Sequence, residues 1–99
     1  MVIKQKKINK PWGYEIIWTA QGPTVGKVLG INRGQSLHRN SNNPVEESLI
    51  VISGTLTIKT DSERTKVKRG QSYSLEALKE YILSADFGDV ELITVKSTI

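Results

Sequence analysis

Ninety-nine residues, 37% of them hydrophobic and 24% charged, suffice for one modest core without covalent staples. The absence of cysteine excludes disulfides, thiolate metal sites and thiol nucleophiles, and no apolar run approaches a membrane span. The net charge of +4 is concentrated early, at Lys4, Lys6, Lys7 and Lys10, and no aromatic platform is interleaved with these lysines.

That pattern reads as a solvated edge, so neither a nucleic acid nor a membrane is an expected partner. The opening Met1-Val-Ile-Lys-Gln-Lys-Lys7 lacks an apolar signal core, and a cytoplasmic location is the expectation.

Along the chain, short β-rich runs alternate with turn residues every eight to ten positions, the rhythm of an all-β sandwich or barrel. Strands are expected over 13–19, 25–32, 36–40, 47–53, 55–60, 65–68, 72–75, 81–85 and 90–96. Gly22-Pro23, Gly34, Asn42-Asn43-Pro44, Gly54, Asp61-Ser62, Gly70 and Gly88 supply the breaks. Only Leu75–Tyr81 has the pattern of a helical turn. Period-two alternation places Leu56 and Ile58 on one face and Thr55, Thr57 and Lys59 on the other. Leu49-Ile-Val-Ile52 is apolar on both faces and should be covered on both sides. Trp12 and Trp18 read as packing residues.

Two glycine-anchored segments carry the chemistry. The first runs from Gly34 through His38, Asn40, Asn42, Glu46 and Glu47 to Gly54, and the second from Gly70 through Glu76, Ala77 and Leu78 to Tyr81. Together they resemble the two cupin motifs. Asn40 and Asn42 stand where that pattern has a His-x-His pair. Glu47 and Gly54 keep the glutamate and the closing glycine. Glu76-Ala-Leu78 replaces a Pro-x-Gly, and Tyr81 replaces the last histidine. Lys10-Pro-Trp-Gly-Tyr-Glu15, Gly26–Ile31 and Glu47–Thr55 extend the resemblance to the small cupin domain of type II mannose-6-phosphate isomerases. The resemblance covers roughly residues 8–96 and implies a small antiparallel cupin-type β-barrel (a double-stranded β-helix, or jelly roll); the length makes residues 1–99 a single domain. No Gly-rich phosphate loop occurs, so nucleotide transfer is not supported.

The replaced residues decide the chemistry. Imidazole is the main ligand for Zn, Fe, Ni and Mn, whereas Asn is a weak neutral donor and Tyr binds metal well only as phenolate. Glu47 is the one strong ligand left, and no metal cofactor is expected. If a divalent transition metal binds at all, His38 and Glu47 are its ligands. His38, the single histidine, shares strand parity with Asn40 and Asn42. It either faces the lumen with Glu47 and Tyr81, or is hydrogen-bonded or solvent-facing. Tyr81 is expected to fill the volume of a lost metal, with Glu47 as the partner of its hydroxyl. The asparagines are either turn formers or a polar set suited to sugar hydroxyls. Arg39, Arg64 and Lys66 can each meet a phosphate, but nothing in the sequence selects one of them.

The reading is a degenerate, metal-free cupin that holds a sugar, a sugar phosphate or another small polar ligand through His38, Asn40, Asn42, Glu47 and Tyr81. No residue is assigned a catalytic role. In an active sugar-phosphate isomerase, Glu47 and His38 would be the remnants of the machinery. The competing reading is a structural or protein-interaction barrel with a filled lumen. A homodimer is expected. With Glu47, Leu49 and Val51 facing inward, Ile50 and Ile52 face outward and need cover, from a second copy, with N-terminal strands exchanged or not, or from an N-terminal strand near Val2–Lys6 folded back over them.

Overall fold

The computed structural model describes residue 2, residues 4–39 and residues 46–97. It contains β1 (Lys6–Lys10), β2 (Gly13–Gln21), β3 (Thr24–Ile31), β4 (Ser36–Arg39), β5 (Glu47–Ser53), β6 (Thr55–Lys59), β7 (Arg64–Lys68), β8 (Ser72–Leu75), β9 (Tyr81–Ser84) and β10 (Val90–Ser97). All pairings are antiparallel. One sheet has the order β1-β2-β3-β10-β5-β8 and the other β4-β9-β6-β7. The inner faces of both sheets supply one apolar cluster, the arrangement of a small all-β sandwich closed toward a barrel.

Nine strands match the sequence rhythm to within two residues. The strand the sequence hid is β1, whose Lys-Lys-Ile-Asn-Lys composition carries no β signal. It lies at a sheet edge, where lysines discourage a further strand from pairing. Its partner is β2, with Lys6 opposite Ile17 and Lys10 opposite Gly13. Three strands separate β1 from β5, so it does not cover Ile50 and Ile52. Among the described residues there is no helix. The stretch after β8 is a turn in which Leu78 adopts φ 59°, and no helix is long and apolar enough to cross a membrane.

Register fixes what faces inward. Ile31 pairs with Val90, and Leu92 pairs with both Leu29 and Val51; all five are essentially inaccessible. The next layer runs Lys27–Thr94–Leu49–Tyr73, and the one after it joins Lys96, Glu47 and Leu75. Across the interior, the second sheet offers Leu56 with Val67, then Leu37, Leu83 and Ile58, then Arg39 with Tyr81. The interior therefore changes from aliphatic to polar along the direction of the strands.

Gly54 shows why one anchor glycine is required. It takes φ 81° between β5 and β6, and a Cβ there would lie 2.3 Å from the Asp89 carbonyl oxygen.

Candidate functional site

The polar end of the interior is built by four strands. On β4, Leu37 is buried, and the period of two then turns Arg39 inward and His38 outward. Arg39 stands opposite Tyr81, and His38 opposite Ile82. The lumen orientation considered for His38 is therefore corrected: its side chain is 61% exposed on the outer face, with Nε2 3.9 Å from Glu80 Oε2. There it borders a shallow cavity of about 130 Å³ shared with Lys59, Asp61 and Ile82. The aliphatic residue sets the pleat of this strand, and the histidine follows it. Asn40 and Asn42 lie outside the described residues.

Glu47 opens β5 and faces the interior with Leu49 and Val51, as the alternation requires. Its side chain is 8% exposed. Its partner is Arg39, whose Nε lies 3.2 Å from Glu47 Oε1. The approach is an ion pair, but the N–H does not point at the oxygen. Arg39 Nε and Nη2 are both buried, and neither makes a hydrogen bond to the described residues. These two nitrogens form the side-on fork of a guanidinium, the edge that grips two oxygens at once. A buried donor without an acceptor costs about 1–3 kcal/mol. The fork is thus both costly and shaped for an oxygen-rich guest.

Tyr81 is 2% exposed and, as expected, fills interior volume. The partner expected for its hydroxyl is corrected. The phenol oxygen accepts the backbone N–H of Glu76 at 3.1 Å, while Glu47 is held by Arg39. Tyr73 meets Tyr81 edge to face, with centroids 6.3 Å apart and planes at 81°. Burial raises the Tyr73 phenol above its ordinary value, nearby Tyr81 adds to this, and Lys79 opposes it. Tyr73 is therefore a neutral hydroxyl at physiological pH. A second interior pair, Lys27 Nζ to Glu15 Oε1 at 3.5 Å, adds one charge of each sign on the first sheet.

Among the described residues, no group of three His, Cys, Asp or Glu side chains converges. The carboxylate of Glu47 already faces a guanidinium, whose charge would repel a second cation. The site residue that sequence reasoning left unselected is Arg39. Its signal was its parity with Leu37, which distinguishes it from Arg64 and Lys66, on the exposed face of β7.

The architecture is that of known cupins. KdgF from Halomonas sp. superimposes with a TM-score of 0.80 at 12% identity, over 98% of this chain and 89% of that one. A cupin-2 domain protein from Shewanella frigidimarina gives 0.74 at 15% identity, over 91% and 84%. FeII HppE gives 0.77 at 18% identity, over 97% of this chain and 57% of that one. No family model and no curated protein matches the sequence. At these identities the likeness establishes a cupin-type fold and nothing finer.

Proposed function

We propose that this protein is a metal-free cupin that binds a small, hydroxyl-rich, uncharged ligand, of the sugar class, at the polar end of its interior. One observation carries the reading: the buried Arg39 fork lies against the buried Glu47 carboxylate. Arg39 only donates and ionised Glu47 only accepts. A vicinal diol does both, so it can accept from Nε and Nη2 while donating to a Glu47 oxygen. An anion would gain from Arg39 but meet the carboxylate beside it, which favours a neutral sugar over its phosphate. Tyr73 and Tyr81 add aromatic walls and one neutral hydroxyl. The resemblance to the mannose-6-phosphate isomerase cupin is consistent with a sugar ligand. Its metal-dependent chemistry is not carried over, and neither is the iron of HppE.

The test is titration calorimetry with D-mannose and mannose 6-phosphate on metal-analysed protein. Saturable binding of mannose is expected, weakened at least tenfold in Arg39→Lys and Glu47→Gln, with no gain from the phosphate. Elemental analysis should find no stoichiometric transition metal, and isomerase turnover should be negligible. Metal-dependent turnover lost in Glu47→Gln would overturn the reading. A second reading, a purely structural barrel, draws on the tightly filled layers around Leu29, Leu92 and Val51. It requires that neither sugar binds.

A further inference from the structure

The outer face of the four-stranded sheet carries cations that the polar interior does not use. On β7, Val67 is buried, so the period of two turns Arg64, Lys66 and Lys68 outward, and all three are exposed. Side chains two apart on a strand repeat about every 6.7 Å, so the three form one regular row along an edge of the sheet. Arg69 extends it into the following turn. The Arg64 charge reaches Asp86, but that carboxylate is already held by Lys59 Nζ at 3.3 Å and by the Ser84 hydroxyl. Asp61 and Glu63 lie in the turn before the row. Lys6, Lys7 and Lys10 belong to β1, in the other sheet, and form no part of it.

An aromatic ring stands on this face. Phe87, in the turn between β9 and β10, is 60% exposed, and Lys66 Nζ lies 4.5 Å from its ring centroid. Beside Lys66 is Thr57, which pairs with Lys66 on one side and with Ser84 on the other. Leu56 and Ile58 point into the core, so Thr57 faces outward, yet it is only 4% exposed. Its hydroxyl has no hydrogen-bond partner among the described residues. An exposed ring and a buried hydroxyl without a partner are both unfavourable in the free protein.

We infer that this face binds single-stranded nucleic acid, with phosphates along Arg64, Lys66 and Lys68 and one base on the ring of Phe87. Successive phosphates of an extended strand repeat on the scale of the row, and each phosphate met by a cation releases a counterion. Only an unpaired strand offers the Phe87 ring an open base, because the bases of a duplex are stacked on one another. An acidic peptide would answer the cations and leave the ring bare. As Lys66 turns from the ring to a phosphate, it uncovers the Thr57 hydroxyl, which donates to the same phosphate. The opening lysines give no reason to expect a nucleic acid; the folded chain sets an aromatic ring among other cations. The inference is independent of ligand binding at the polar end, since Arg39 and Glu47 face the interior.

The test is fluorescence anisotropy of a labelled oligothymidylate of about 15 nucleotides, titrated with the wild-type chain. Saturable binding at low salt is expected. Three phosphate contacts give a slope of about −2 in log affinity against log salt concentration. Lys66→Ala should make that slope shallower by about 0.7, and Arg64→Ala should do the same. Phe87→Ala should weaken binding about tenfold and leave the slope unchanged. All three side chains are exposed, so these variants should keep the wild-type far-UV spectrum. Lys6→Ala with Lys7→Ala, on β1, should bind as the wild type does. Polyglutamate and a duplex of the same length should compete poorly. Absence of binding by the wild type, full affinity in Phe87→Ala, loss of binding in the β1 variant, or equal competition by polyglutamate or duplex would each overturn the inference.

Discussion

The two ends of the interior are made by the same strands and differ in chemistry. β5 gives Val51 to one end and Glu47 to the other, and β10 gives Leu92 and then Thr94. At the aliphatic end, Leu29, Val51, Leu56 and Leu92 have no accessible surface, and the buried carboxylate beside them, Glu15, is paired with Lys27. At the polar end a fully buried Tyr81 accompanies an ion pair, and two guanidinium nitrogens have no acceptor among the described residues. One end maximises stability. The other spends some of it on polar groups that an unliganded core would not need, and such departures from good packing chemistry tend to mark functional sites.

Substitutions at the two ends should therefore behave differently. The largest effect is expected at the aliphatic end. Leu92→Ala should cost about 2–5 kcal/mol in denaturant unfolding, with sugar binding retained wherever the protein is folded. Equal loss of binding and stability would mean that the two ends are not separable.

At the polar end, Glu47→Ala strands Arg39 in a low-dielectric site and should cost about 1–3 kcal/mol, below a fully buried pair because Arg39 remains 22% exposed. Replacing both, Arg39→Met with Glu47→Leu, should recover most of that loss while abolishing binding. A double variant as unstable as the sum of its parts would show that the pair is structural.

The smallest effect concerns a pair outside both ends. The Ser84 hydroxyl donates to Asp86, which holds its carboxyl below the ordinary 3.8; partial burial opposes this, and Lys59 assists it. A lowered folded pKa contributes stability that is present above the ordinary value and is lost as pH falls through the folded one. Asp86→Asn should remove a small amount of stability at neutral pH, where the ionised carboxylate contributes, and flatten the acid limb of the stability profile below about pH 4. An unchanged acid limb would assign that limb to other carboxylates.

Most of the fold was legible in the sequence, because turn residues and strand alternation are local signals. Glu47 was readable for the same reason: Leu49 and Val51 share its parity and have to be buried. The strand β1 was not, since its pairing with β2 is a tertiary event that its lysines do not advertise. The site was half legible. The spacing around His38 suggested a lumen ligand, but Leu37 sets the pleat of β4, and so Arg39 rather than His38 enters the interior. Tyr81 was placed correctly as filler. Its hydroxyl partner, the Glu76 backbone, depends on a turn whose path contains a left-handed Leu78 and has no sequence signature.

The most direct test of a ligand site at the polar end is a nitrogen-15 NMR titration that follows the Nε–H of Arg39 as D-mannose is added. The account predicts a saturable shift of that signal, in step with the amides of Glu47 and Tyr81, while the amides of Leu92 and Val51 stay in place. An Arg39 signal that does not move at saturating sugar, or that moves no more than those of the aliphatic end, would contradict it.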